Sequence, residues 1–255
     1  VISAFNFPVA VWSWNAFIAA ICGNTTLWKP SSSTPLCAVA VQNICNEVLS
    51  SKDVPNIFSL TIGSGSKIGE TLINDNNIPL VSFTGSTNRG RHVSKTVSER
   101  FGKTILELGG NNCIIVDETA DMDLVVPAIV FGAVGTAGQR CTSTRRVMVQ
   151  ESIYEGLKER LVSAYKQVNI GDPLNKNTLM GPLVNESAVE DYSNAIKRAM
   201  DHGGDVLYGG STIDGLGNFV TPTIIKAENH WEIVQEETFA PILYLISYET
   251  LDDAI

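Results

Sequence analysis

The chain has 255 residues, 44% of them hydrophobic and 18% charged, with a formal net charge of −9. That is the composition of a globular protein with enough apolar sequence for one large domain or two ordinary ones. The acidic balance argues against nucleic acid or an anionic membrane as a partner through a basic face. No apolar run reaches the about 18 residues that span a bilayer. The nearest, Val9 to Cys22, is interrupted by Ser13, Trp14 and Asn15. No secretory signal is expected. Val1 and the closing run Leu251-Asp252-Asp253-Ala254-Ile255 read as the cut ends of a central fragment.

Strand-like and helix-like runs alternate along the chain. After Phe5-Asn6-Phe7-Pro8 a helix begins. A short strand covers Thr25 to Trp28, and an amphipathic helix Thr34 to Leu49. A strand over Asn56 to Ile62 leads into Gly63-Ser64-Gly65, which opens a helix reaching Leu72. Then come a strand (Pro79 to Phe83), a turn at Gly85-Ser86 and a polar helix (Thr87 to Phe101). Strands at Thr104 to Leu106 and Cys113 to Val116 flank Gly109-Gly110. A helix covers Asp121 to Val134, a strand Arg146 to Val149, and helices Ile153 to Val168 and Glu186 to Met200. Strands at Val206 to Tyr208, Phe219 to Ile225 and Ile242 to Tyr248 complete the pattern. Such alternation predicts an α/β fold with a largely parallel sheet. Gly109-Gly110 is the expected boundary between domains 1–109 and 110–255.

Five cysteines without a CxxC pair make neither a disulfide framework nor a metal site, so no metal is expected. They point to a reducing compartment, cytoplasm or mitochondrial matrix, and not to secretion. Cys22, Cys37, Cys45 and Cys113 lie in apolar or helical contexts and read as small core residues. Cys141 differs. It sits in Thr136-Ala137-Gly138-Gln139-Arg140-Cys141-Thr142, with Gly132 and Gly135 just upstream. Glycines let backbone and substrate approach a thiol closely, and Arg140 beside it favours the reactive thiolate. The three histidines, His92, His202 and His230, stand in no motif-like setting.

Other short stretches carry chemistry, each with a plainer alternative. Gly63-Ser64-Gly65-Ser66-Lys67-Ile68-Gly69 reads as a phosphate-type loop or as a tight turn. Phe83-Thr84-Gly85-Ser86-Thr87 offers exposed amides to an anion, or is an N-cap. Glu107 before Leu108-Gly109-Gly110 is a general base or a solvated acid. Asn6 is an oxyanion donor or a turn residue. Lys29 in Trp28-Lys29-Pro30 is a phosphate or ribose ligand, or a surface lysine. Glu237 lies two residues before the ring of Phe239 in an acidic loop.

In this order, FNFP, WKP, FTGS, ELGG, GQRCT and EETFAP resemble the aldehyde dehydrogenase superfamily over essentially the whole chain. GNNCIIV, AVGTAGQRCT and ETFAPILY resemble its antiquitin branch, which oxidises α-aminoadipic semialdehyde. The resemblance implies a Rossmann-type cofactor domain followed by a second α/β catalytic domain, both incomplete. It implies Cys141 as nucleophile, Glu107 as base and Asn6 as oxyanion donor. It implies NAD, with NADP the lesser alternative, held by Ser3, Ala4, Phe5, Lys29, Ser32, Gly69, Gly85, Ser86, Leu108, Glu237 and Phe239. Arg140 and Thr142 would meet the aldehyde substrate, and the whole protein would be a homotetramer. One departure is Ser32, where many NAD-preferring members carry Glu. Competing expectations are a non-catalytic binding or structural relative and a fragment inactive without its missing ends. A third, an acylating enzyme that passes the thioester to coenzyme A, is disfavoured by Glu107 in its ELGG setting.

Overall fold

The computed structural model describes residues 1–54 and 56–255. The chain divides into two compact units, Val1–Gly109 and Gly110–Ile255.

In the first unit, β1 (Thr26–Trp28) pairs parallel with β2 (Phe58–Leu60), and β3 (Leu80–Thr84) pairs parallel with β4 (Lys103–Glu107). The first residues of the chain knit the two pairs together. Ile2 forms parallel bridges to both Lys29 and Phe83. Its N–H donates to the Ser82 carbonyl at 2.8 Å, and its own carbonyl accepts from Thr84 N–H at 3.0 Å. On the other side Ser3 N–H donates to Lys29 and Lys29 N–H to Val1, at 3.1 and 2.9 Å. The strand order is therefore β2-β1-(Val1 to Ser3)-β3-β4, with the earliest strand central. This is the 3-2-1-4-5 order of a doubly wound, Rossmann-type sheet, whose direction of progress reverses beside the first strand.

Helices α1 (Ala10–Ile21), α2 (Pro35–Ser50), α3 (Glu70–Asn74) and α4 (Thr87–Glu99) cover these strands. Trp12 of α1 stacks on Trp28 of β1 with ring centroids 4.5 Å apart, and Phe58 of β2 meets Trp12 edge-on at 5.3 Å. Ile73, Val81, Val93 and Val97 form a second core where α3 and α4 meet β3. Asn15 of α1 donates to the Ser82 hydroxyl at 2.8 Å, tying that helix to β3. Arg100 closes α4 by donating to the Ile73 and Ile78 carbonyls, each at 2.7 Å.

The second unit carries a sheet of order β5-β6-β9-β8-β7. Its strands are β5 (Asn112–Val116), β6 (Thr144–Gln150), β7 (Asp205–Tyr208), β8 (Thr223–Lys226) and β9 (Ile242–Tyr248). All neighbours run parallel except the edge strand β7. The apolar run Ile242-Leu243-Tyr244-Leu245-Ile246 is buried throughout, as suits a central parallel strand covered on both faces. Helices α5 (Met122–Val134), α6 (Glu151–Tyr165), α7 (Glu186–Asp201), α8 (Glu232–Gln235) and α9 (Leu251–Ala254) complete it. Asp121 and Asn185 cap α5 and α7 through their side chains.

Several sequence expectations change. The strand expected from Asn56 narrows to β2, and the helix expected from Gly63 begins as a π turn (Gly65–Gly69) before α3. Gly65 and Gly69, at the two ends of that turn, lose more backbone freedom in a regular helical turn than other residues do. The strand expected from Phe219 starts at Thr223, because Pro222 has no N–H for the ladder. The residues before it pair instead with Ser211 to Ile213, through Thr221 N–H to Ser211 and Ile213 N–H to Phe219, both 2.9 Å. The cysteines also differ from expectation: Cys22, Cys37 and Cys113 are exposed and Cys45 is half-buried. Cys37 faces outward on α2, where Leu36 and Ile44 are exposed too, and Cys113 lies on the edge strand β5.

Trp12 and Trp28 are the largest wholly buried side chains of the first core, at 1% and 0% exposure. Trp12→Ala is expected to lower the unfolding free energy of this unit by about 3–5 kcal/mol, read from urea denaturation.

Candidate active site

In the first unit the candidate residues gather past the carboxyl ends of the parallel strands. Ser3 is buried, and its hydroxyl accepts from Trp28 Nε1 at 2.9 Å. Ala4, Phe5 and Asn6 continue from it toward α1 and are half-buried. Lys29, one residue past β1, is 4% exposed, and its Nζ donates to the Pro30 carbonyl at 2.9 Å. Burial pushes this ammonium below the ordinary lysine range. Ser32, exposed, donates to the Gly63 carbonyl at 3.3 Å.

Gly85 and Ser86 follow β3. Ser86 caps α4, its hydroxyl accepting from Arg89 N–H at 3.4 Å. The Gly85 N–H donates to the Glu107 carbonyl at 3.1 Å, so the ends of β3 and β4 are pinned side by side. The Glu107 side chain is exposed at the last residue of β4. Leu108 packs under α4, where a Cβ on Gly90 would lie 2.3 Å from it. Gly69, buried, ends the π turn, and outside its own helical turn and chain neighbours no heavy atom lies within 4 Å of where a Cβ would stand.

In the second unit, α5 runs into a turn over Gly135–Gly138 in which Thr136, Ala137 and Gly138 take φ of 56°, 52° and 67°. Left-handed backbone at Thr and Ala costs about 1–3 kcal/mol each and persists only where surroundings enforce it. The enforcing groups are identifiable. Gln139, 5% exposed, donates through Nε2 to the Thr136 and Pro182 carbonyls at 3.2 and 3.3 Å. Its Oε1 accepts from Val184 N–H at 2.9 Å. Arg140 Nε donates to the Thr136 hydroxyl at 2.8 Å, and its guanidinium lies 5.7 Å from the Phe131 ring centroid.

This loop delivers Cys141 and Thr142 to the surface at the tip of a tight turn closed by Ser143 N–H to the Arg140 carbonyl, 3.1 Å. Asn112 holds the turn from the opposite side, donating to the Cys141 carbonyl at 2.7 Å and the Ser143 carbonyl at 3.1 Å. Gly110 passes so close that a Cβ there would lie 2.6 Å from the Cys141 carbonyl oxygen.

Beneath the turn lies Arg145, 2% exposed at the second position of β6. Its Nε donates to the Gly110 carbonyl at 3.3 Å and its Nη1 to the Thr238 carbonyl. Its Nη2 reaches the carbonyls of Gly138 and Arg140 at 3.2 and 3.0 Å and Glu237 Oε1 at 3.4 Å. Burial lowers its pKa while Glu237 opposes that shift, and arginine remains charged. The Phe239 ring lies 5.4 Å from the guanidinium. The two neighbouring acids are thus sorted. Glu237 faces Arg145 and also accepts from Gly110 N–H at 3.2 Å, whereas Glu236 pairs with Arg198, whose hydrogen bonds hold its carboxyl below the usual range.

The sequence profile of the aldehyde dehydrogenase family matches residues 1–255. The chain belongs to the aldehyde dehydrogenase family. Among its relatives, a putative aldehyde dehydrogenase family 7 member A1 homolog of Caenorhabditis elegans is 51% identical over 259 residues, covering 100% of this chain and 49% of that protein. An alpha-aminoadipic semialdehyde dehydrogenase of Bos taurus is 49% identical over 255 residues, covering 99% and 47%. The chain thus spans about half the length of these relatives. Among solved structures, the betaine aldehyde dehydrogenase of Staphylococcus aureus in complex with NAD+ matches with a TM-score of 0.95 at 30% identity, over 99% of this chain and 51% of that one. Lactaldehyde dehydrogenase from Escherichia coli gives 0.93 at 34%, over 99% and 54%.

A dinucleotide of the kind aldehyde dehydrogenases bind fits the chemistry at the strand ends of the first unit. A buried ammonium at Lys29 has donors to offer, and the first turn of α4 presents amides beside Gly85 and Ser86. Arg145, Asn112 and Gln139 were not picked out by sequence reasoning. The available signal for Arg145 was an arginine pair opening the apolar strand Arg146-Val147-Met148-Val149.

Gly138 has φ of +67°, and a Cβ there would lie 2.3 Å from the Ala240 carbonyl oxygen. Gly138→Ala is expected to destabilise the second unit by more than about 2 kcal/mol. Gly156→Ala, in the open middle of α6, should stabilise it by about 0.5–1 kcal/mol. Denaturant melts of both variants check the pair.

Proposed function

We propose that the whole protein is an NAD-dependent aldehyde dehydrogenase whose nucleophile is Cys141. The observation that carries this reading is the presentation of Cys141 on an exposed turn that directly follows a segment, Thr136 to Gly138, held left-handed by buried groups. A loop held in an unfavourable conformation at a solvent-facing thiol is expected of a working site, not of a packing residue.

In this reading the Cys141 thiolate adds to the aldehyde carbon, giving a thiohemiacetal. The Asn6 side-chain amide and the Cys141 backbone N–H donate to the oxygen that becomes negative. NAD, when bound, supplies the hydride acceptor. Lys29, Gly85 and Ser86 would hold its ribose and pyrophosphate, with Ser3, Ala4, Phe5, Ser32, Gly69 and Leu108 lining it. Glu237 and Phe239 would bind its nicotinamide end. The acyl group left on Cys141 is a thioester. Glu107, exposed and free to swing at the end of its strand, takes a proton from the water that hydrolyses it.

The relatives named for α-aminoadipic semialdehyde support that substrate, with Arg140 and Thr142 beside the nucleophile facing its charged end. The same reading carries a homotetrameric assembly in the cytoplasm or mitochondrial matrix. Among the described residues no helix is long and apolar enough to cross a membrane.

Cys141→Ala in the natural full-length chain is expected to abolish NADH formation from the semialdehyde; retained turnover overturns the mechanism. Glu107→Gln should give a burst of NADH followed by steady turnover reduced by about 100-fold or more, and unchanged steady turnover would remove Glu107 from the role of base. A panel setting α-aminoadipic semialdehyde against aliphatic and betaine-type aldehydes, each with NAD and NADP, tests substrate and cofactor.

A further inference from the structure

Arg145 takes no part in the chemistry described above, yet it touches more of the candidate site than any motif residue. It is a buried charge, and such a charge is retained only where several acceptors surround it. Its acceptors fall into two groups. One is the Glu237 carboxylate. The other is a set of backbone carbonyls, of which Arg140 O matters most, because Arg140 O and Cys141 N–H belong to one peptide group.

A peptide group is planar and trans, so its carbonyl and N–H point in opposite directions. The Arg140 carbonyl accepts from Arg145 Nη2 at 3.0 Å and from Ser143 N–H at 3.1 Å. Those two bonds fix one end of the peptide plane and so aim the Cys141 N–H at the other end. Asn112, holding the Cys141 carbonyl at 2.7 Å, fixes the next plane along. At Glu237, Oε1 accepts from both Arg145 Nη2 and Gly110 N–H, at 3.4 and 3.2 Å. The Glu237 side chain is 21% exposed, so with Oε1 held inward the carboxylate has a fixed orientation from which to present its other oxygen.

We propose that Arg145 is a positioning residue that orients two groups at once: the Cys141 N–H as oxyanion donor and the Glu237 carboxylate as ligand for the cofactor ribose. This rests on the roles assigned above to Cys141 and Glu237. A lysine cannot replace it, since one ammonium lacks the planar fork that reaches Gly110, Thr238, Gly138, Arg140 and Glu237 together.

The test uses the natural full-length enzyme with Arg145→Lys, Arg145→Gln, Glu237→Gln and the double variant Arg145→Gln/Glu237→Gln. NAD+ binding is measured without aldehyde, by quenching of tryptophan fluorescence, and kcat and aldehyde KM are measured separately. Both Arg145 variants are expected to weaken NAD+ binding by about tenfold, the equivalent of one lost charge-assisted hydrogen bond. The double variant should bind NAD+ no more weakly than Glu237→Gln alone, because both changes remove the same orientation. In Arg145→Lys, kcat should fall by about tenfold or more while aldehyde KM moves little, since an oxyanion donor acts in the transition state. Wild-type NAD+ affinity in a folded Arg145 variant, or losses that add in the double variant, would overturn the proposal. So would failure of both Arg145 variants to accumulate as folded protein, which would make the residue purely structural. Unchanged NAD+ binding in Glu237→Gln, or activity in Cys141→Ala, would instead show that the underlying site assignment is wrong.

Discussion

A single buried guanidinium organises the second unit. Arg145 at the start of β6 is enclosed by carbonyls from three separate stretches: the Gly110 approach, the left-handed turn before Cys141, and the loop ahead of β9. None of these stretches is regular secondary structure, so none has a ladder to hold it. Without the cation, the carbonyls of Gly138, Arg140 and Thr238 would point at one another across a water-poor space. With it, each becomes a satisfied acceptor. The strained backbone at Thr136 and Ala137 leads into this arrangement: Gln139 and Arg140 hold it from one side, and at its end Gly138 gives its carbonyl to Arg145 where a Cβ would collide with the Ala240 carbonyl.

The first unit obeys a different constraint. Its sheet is a set of short parallel strands, and parallel pairing places every strand end of one kind along one edge. Ser3, Lys29, Gly85 and Glu107 therefore come together without any contact between their side chains being required. Their chemistry is set by what each strand end leaves uncovered: a buried ammonium after β1, a capped helix start after β3, an exposed carboxylate at the end of β4.

Turn and cap chemistry is local, and this explains which parts of the structure could be read from the sequence. The N-cap offered by the stretch Phe83 to Thr87 falls on Ser86, and the helix expected from Asp121 uses that residue as its cap. The buried central strand β9 spans the residues that its apolar run marks out. Pro222 was visible too, yet its effect on β8 depended on the alternative partners at Ser211 to Ile213, which no window of neighbours contains. Arg145 is the clearest non-local case: its acceptors at Gly110 and Thr238 lie 35 and 93 residues away in the chain. Cys37 shows the opposite error. Its apolar neighbours suggested a core position, but the helix face carrying Leu36 and Ile44 is turned outward.

The central place of Ile2 has a consequence for the edges of the sheet. The two strand pairs of the first unit, β1-β2 and β3-β4, do not hydrogen-bond each other directly; the backbone of residues 1–3 bonds to both. Were that segment displaced, Lys29 beside β1 and Ser82 and Thr84 of β3 would turn unpaired N–H and C=O groups outward, a template on which a strand of another chain could add.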